Sequence, residues 1–166
     1  MTSGREEAIV LARIVVATDG SEASDRMVAC LTGLPAVGTR SAILVHVFDV
    51  RHVGGLYESL RAAMAPRLER QRDVLTEAGL EVTIETPLGV PFLEIERIAD
   101  RSAASLVVVG SLGASLVGEM LLGSTAHSVL QHAERPVLLI RLEITGPDDQ
   151  GRRCRAVCRD LFGHLL

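Results

Sequence analysis

Apolar residues fall into short runs separated by stretches in which they recur every three or four positions. Residues 14–18 (IVVAT) are a continuous run, the pattern of a strand buried on both faces of a parallel sheet, and 42–48 (AILVHVF), 106–109 (LVVV) and 137–140 (VLLI) read as further strands. Residues 81–86 (EVTIET) alternate polar and apolar, which suits a strand at a sheet edge. Between the runs the spacing is helical. Met27, Cys30, Leu31 and Leu34 share a face, with Ser21 or Ser24 placed to cap that helix. Tyr57, Leu60, Met64, Leu68, Gln71 and Leu75 share another, on a helix that Pro66 kinks or starts late and Gly79 stops. Phe92, Ile95, Ile98 and Ala99 form a third stripe behind Pro91, which sits at the first turn, with Glu94 and Glu96 suiting the N-terminal dipole. A last helix runs from Ser124 to about residue 133.

Strands that alternate with helices imply parallel pairing and right-handed crossovers. The expected fold is α/β: a doubly wound five-stranded parallel sheet in the order 3-2-1-4-5, with helices on both faces. In that order the chain reverses direction between the first and fourth strands. Ligands bind outside the carboxyl ends of strands that flank such a switch point. Here those ends are Asp19 and Gly110.

Composition narrows the partners. The chain has 166 residues, one domain's worth, and its net charge of −4 repels nucleic acid. With only Tyr57, Phe48, Phe92 and Phe162 aromatic, it lacks a stacking platform for single strands. No apolar run reaches the roughly 18 residues of a membrane span, and the opening residues lack a basic stretch followed by an apolar one. The expectation is a cytoplasmic protein with no nucleic-acid or membrane partner. Cys30, Cys154 and Cys158 read as reduced thiols, because no further metal ligands stand at a suitable spacing.

The spacing at the switch point carries the chemistry. Gly110-Ser-Leu-Gly113, nine residues, then Gly123-Ser124 gives a glycine-containing stretch leading into a helix. Glycines let several backbone N–H groups face one anion, and the first amides of a helix have no internal partners. The pattern describes a phosphate cradle. On glycine spacing alone, a stretch that merely turns the chain is an equal reading.

VATDGSEAS at 16–24, LVHVFD at 44–49, GVP at 89–91, and VVVGSLG…LLGSTA…RPVLLI between 107 and 140 resemble the universal stress protein family. The resemblance covers roughly residues 12–141, and the family's phosphate motif, G-x2-G-x9-G-[S/T], is matched in full. It implies the same doubly wound fold, with ATP held at the switch point. On this resemblance Asp19 contacts the nucleoside, with Ala17 and Thr18 beside it, and Val47 meets adenine through its backbone. Gly110, Gly113, Gly123 and Ser124 hold phosphates, and Thr125 and Ala126 line the following turn. For Asp19, an Asx-turn or helix cap is the plainer role, and the two are compatible. Residues 111–122 carry no Lys or Arg, so a triphosphate here calls for Mg²⁺. Family members often carry a basic or polar residue where this chain has Leu112.

Nothing in the motif points to catalysis. It lacks the GK[ST] ending of a P-loop, no G-x-S-x-G elbow occurs, and no His lies within it. His46 reads as a core or strand-end residue, and His127 and His132 as surface or packing residues. A binding or regulatory protein is favoured over an enzyme, with slow ATP hydrolysis and a nucleotide-free dimerisation module as alternatives. The apolar fifth strand at the sheet edge implies a homodimer through Val137–Ile140. Residues 1–141 form the nucleotide-binding domain. After Arg141 the Thr-Gly-Pro-Asp-Asp-Gln-Gly stretch reads as a linker, and 142–166 as a tail that either docks as a helix or leads into a second copy, which then takes the dimer partner's place.

Overall fold

A computed structural model describes residues 11–111, 122–148 and 151–156. The chain runs β1 (Arg13–Ala17), α1 (Glu22–Cys30), a 3-10 turn (Leu31–Val37), β2 (Ser41–Val45), β3 (Phe48–Asp49), α2 (Val50–Val53), a second 3-10 turn (Gly54–Leu56) and α3 (Tyr57–Glu77). It continues through β4 (Glu81–Glu85), β5 (Leu88–Gly89), α4 (Pro91–Arg101), β6 (Leu106–Gly110), α5 (Ser124–His132), β7 (Val137–Ile140), β8 (Leu142–Asp148) and β9 (Gly151–Ala156).

The main sheet has the order β4-β2-β1-β6-β7 and is parallel throughout. With the two short strands set aside, this is the expected order of third, second, first, fourth and fifth. α1 and α3 cover one face, over a core that includes Ile14, Val16, Leu44, Leu68, Leu75 and Val108. α4 and α5 cover the other, over Val15, Ile43, Ile95, Ile98, Val107 and Val129. Alternate residues of β1 feed opposite cores, which is why this strand reads as an unbroken apolar run.

Local signals operate as their chemistry requires. Ser21 caps α1, its hydroxyl accepting from the Ser24 amide. Pro91 opens α4 at its first turn. Gly79 lies just past α3 at φ +102, a left-handed conformation that L side chains rarely adopt.

Several expectations need correction. The run at 42–48 is not one strand. β2 ends at Val45, and the His46 and Phe48 amides donate to Glu85 and Pro87, carrying the chain out into a small β3–β5 pair. α3 runs unbroken through Pro66 from Tyr57. Positions 62 and 66 are exposed, so the carbonyl deprived of its amide partner faces water. Leu60 is 39% exposed, outside the buried stripe of Leu68, Gln71 and Leu75. A helix of 21 residues is about 31 Å long, far longer than a five-residue strand, so its N-terminal part overhangs the sheet.

The last correction concerns the presumed linker. β8 and β9 pair as an antiparallel hairpin whose register shifts between Thr145 and Pro147, where proline has no N–H for the ladder. The hairpin packs against α1. Cys30, at the end of α1, is disulfide-bonded rather than a reduced thiol. Composition alone gave no hint that the chain after Arg141 returns to this helix. The expected alternatives for 157–166 lie outside the described residues.

Candidate functional site

Three neighbouring strand ends form the site. In the observed register Ala17 pairs with Val45, and Val16 with Val108. Asp19 and Val47 each follow the last paired residue of their strand by two positions, and Gly110 ends β6. With strands about 4.8 Å apart, the ends of β2, β1 and β6 span roughly 10 Å.

The turn after β1 is held in detail. Thr18 is buried, and its amide donates to the Val45 carbonyl at 2.9 Å. Its hydroxyl accepts from the Gly20 amide at 3.1 Å and donates to Gln71 Oε1 at 2.8 Å. Asp19 Oδ1 accepts from the Ser21 amide at 3.0 Å and the Ser21 hydroxyl at 2.6 Å, which is the expected Asx-turn. Asp19 Oδ2 is buried and has no hydrogen-bond partner among the described residues. Burying a carboxylate oxygen unpaired is costly, so a group that donates to it has a place ready. Gly20 has φ +70, a left-handed conformation that strains an L side chain, and a Cβ there would meet Met64 Sδ at 2.3 Å, so the methionine would have to shift as well.

Ala17, half-buried, packs on the α4–α5 side of the sheet. Val47 sits between β2 and β3 and packs on the same core. Because the flanking His46 and Phe48 amides point toward β4, alternation along the extended chain turns the Val47 amide toward β1.

The β6–α5 connection is described at both ends. Gly110 is the last residue of β6 and pairs with Ile140. The Ser111 amide donates to Ile140, and the Gly123 amide donates back to Ser111 at 2.7 Å. The connection therefore returns to its starting point before α5 begins. Gly113 falls outside the described residues. Gly123 is the N-cap of α5 with φ −68, and no side chain caps the helix. The first intrahelical bond is from His127 to Gly123, so the Ser124, Thr125 and Ala126 amides have no acceptor within the helix. Ser124 is exposed, Thr125 half-buried, and the Ala126 side chain is in the core. These amides and the helix dipole suit an anion.

Several residues that complete the site escaped the sequence reading. His46 Nδ1 donates to the Thr18 carbonyl at 3.0 Å, and the ring packs edge-on against Phe48. Burial lowers its pKa below the ordinary value, outweighing the Thr18 hydrogen bond and the Asp19 charge, which act to raise it. The imidazole is therefore neutral at pH 7. From α3, Met64 packs on Gly20, Arg67 Nη1 donates to the Gly20 carbonyl at 3.1 Å, and Gln71 reaches Thr18. In the sequence Met64 and Gln71 stand only as members of a helical stripe and His46 only as a core or strand-end residue, while Arg67 carries no signal. Among the described residues, no group of three or more His, Cys, Asp or Glu could hold a metal ion. Nor is any described helix long and apolar enough to cross a membrane.

Comparison with known proteins identifies the family and the fold. The model of the universal stress protein family matches residues 11–141. Universal stress protein Rv1636 of Mycobacterium tuberculosis is 34% identical over 137 residues, 76% of this chain and 94% of that protein. The structure of MJ0577, a universal stress protein of Methanocaldococcus jannaschii, superposes with a TM-score of 0.71 at 26% identity, covering 82% of this chain and 99% of that one. A universal stress protein in complex with cAMP superposes with a TM-score of 0.62 at 25% identity, covering 80% and 98%.

Proposed function

The chain belongs to the universal stress protein family, and from that premise we propose that it binds an adenine nucleotide, ATP with Mg²⁺, across the ends of β2, β1 and β6. The observation that carries the reading is the juxtaposition of an unpaired, buried Asp19 Oδ2 with three helix-start amides on the neighbouring strand's connection. Across the three strand ends, a nucleotide has adenine on the Val47 main chain, ribose on Asp19 beside Ala17 and Thr18, and phosphates on Gly110, Gly113, Gly123 and Ser124. Thr125 and Ala126 complete the turn. The cAMP complex supports the reading, since a chain of similar sequence and fold holds an adenine nucleotide.

The donor set fits the phosphates only in part. Backbone amides are present, but neither 111–122 nor the first turn of α5 contributes a Lys or Arg. A hard cation carried with the phosphates supplies the missing charge. The role is binding and regulation in a cytoplasmic stress response, with residues 1–141 as the nucleotide-binding unit and 142–166 appended to it.

β7 lies at the end of the sheet, and its Leu139 is 36% exposed. A second copy of the chain, or a second domain of the same fold, pairs with this edge. Mass spectrometry of nucleotide released from the purified protein tests the main reading, together with calorimetry of ATP with and without Mg²⁺. Failure of ATP to bind under either condition returns the chain to the role of a nucleotide-free dimerisation module. Light scattering at micromolar concentration tests the pairing, and a monomer overturns it for a second copy.

A further inference from the structure

The structure assigns to Gln71, on α3, the role of positioning residue for the Asp19 turn; the inference rests on the nucleotide-binding reading above. Gln71 is 2% exposed and spends its whole amide on the two ends of that turn. Its Oε1 accepts from the Thr18 hydroxyl at 2.8 Å, immediately before Asp19. Its Nε2 donates to the Ser24 hydroxyl at 3.1 Å and to Asp25 Oδ1 at 2.6 Å, in the first turn of α1 after it. A carboxylate can only accept, so Asp25 fixes which way round the amide lies.

From these two anchors the bonds converge on Asp19. The Thr18 hydroxyl, held by Gln71, accepts from the Gly20 amide. The Ser24 hydroxyl, also held by Gln71, donates to the Ser21 carbonyl at 2.8 Å. Ser21 in turn binds Asp19 Oδ1 through both its amide and its hydroxyl. Asp19 thus has one oxygen tied to the turn and the other, Oδ2, buried and unpaired. Bonds within residues 18–24 shape the turn locally. A glutamine one helix away ties its two ends together, and Arg67, one turn earlier on α3, adds a bond to the Gly20 carbonyl at 3.1 Å. An apolar side chain of the same length at 71 would fill the space but leave the buried Thr18 hydroxyl without its acceptor, so affinity and stability are read separately below.

The test is a double-mutant cycle on the full chain, with Kd for ATP and melting temperature measured for the wild type, Asp19→Ala, Gln71→Met and the double variant. Gln71→Met keeps the length and loses the hydrogen bonds, and is expected to weaken ATP binding about tenfold. The double variant is expected to bind no more weakly than Asp19→Ala alone, because a positioning residue has nothing to position once the carboxylate is gone. Wild-type affinity in Gln71→Met, with or without a lower melting temperature, overturns the inference and leaves Gln71 a packing residue. Additive losses in the double variant overturn it as well. If Asp19→Ala itself binds ATP as the wild type does, the ligand reading fails and this inference falls with it. Should Gln71→Met not fold, Thr18→Val breaks the Thr18–Gln71 bond from the other end, together with the Gly20 amide's bond to the same hydroxyl, and is judged by the same cycle.

Discussion

The two halves of the site are built in opposite ways. On the β1 side, the turn is held by side chains: Thr18, Asp19, Ser21, Ser24 and Gln71 bond to one another and to the backbone within one buried cluster. On the β6 side, the described groups are almost all main chain: the Gly123–Ser111 bond and the first amides of an uncapped helix. The difference teaches which kind of change each half can feel. A side-chain network is tuned atom by atom and answers to deletion of a single hydroxyl or amide. A backbone cradle has no functional atoms to delete, and answers to whatever blocks the approach of the ligand.

The sharpest way to break the comparison is Gly123→Val. At φ −68 the backbone is one any residue adopts, so the fold and melting temperature should be retained. The added side chain stands over the helix-start amides, and ATP binding should fall by about a hundredfold or more in calorimetry, corresponding to roughly 3 kcal/mol. Unchanged affinity would remove the cradle from the site.

Asp19→Ala should act on the other half and cost less, about 1–3 kcal/mol of binding energy. Adenosine and ATP should lose affinity by similar factors, because the carboxylate reads the nucleoside and not the phosphates. A loss confined to ATP would place Asp19 on the wrong half. A lower melting temperature with intact affinity would make it a turn residue alone.

The smallest effect is on pH dependence and belongs to His46, which links the β2 end to Thr18. Its folded pKa is lowered, chiefly by burial, from an ordinary value near 6.5. As pH falls below that value the unfolded chain takes up a proton before the folded chain does, so stability present above it declines until the folded pKa is passed. Urea midpoints at about pH 7.5 and about pH 5.5 should differ in that direction, and His46→Asn should remove its share of the slope. A variant with the wild-type slope would show that His46 is not the group responsible.

Much of this arrangement was legible in the residues. The continuous runs identified the central strands because a strand covered on both faces has no polar side to show. Strand order followed from alternation with helices, and Asp19 and Gly110 followed from strand order, since the ends flanking the reversal are where the sheet leaves a crevice. The break at Val45 was not legible. Val47 is apolar whether it sits in a strand or beside one, and what ends β2 is the donation of His46 and Phe48 to Glu85 and Pro87. The hairpin after Arg141 was equally hidden, because Gly, Pro and Asp mark a turn and a linker alike.

By itself the sequence determined the periodicities, the glycines and the spacing of the phosphate motif. These are local properties, set by what a few consecutive residues permit the backbone to do. Tertiary structure decided which side chains meet across that framework. Gln71 lies 53 residues from Thr18, and His46 lies 28. No pattern within one helix or strand encodes a hydrogen bond to another. That partnership exists only once α3 has packed beside α1, where a buried amide must find its donors and acceptors among whatever groups the fold has brought within reach.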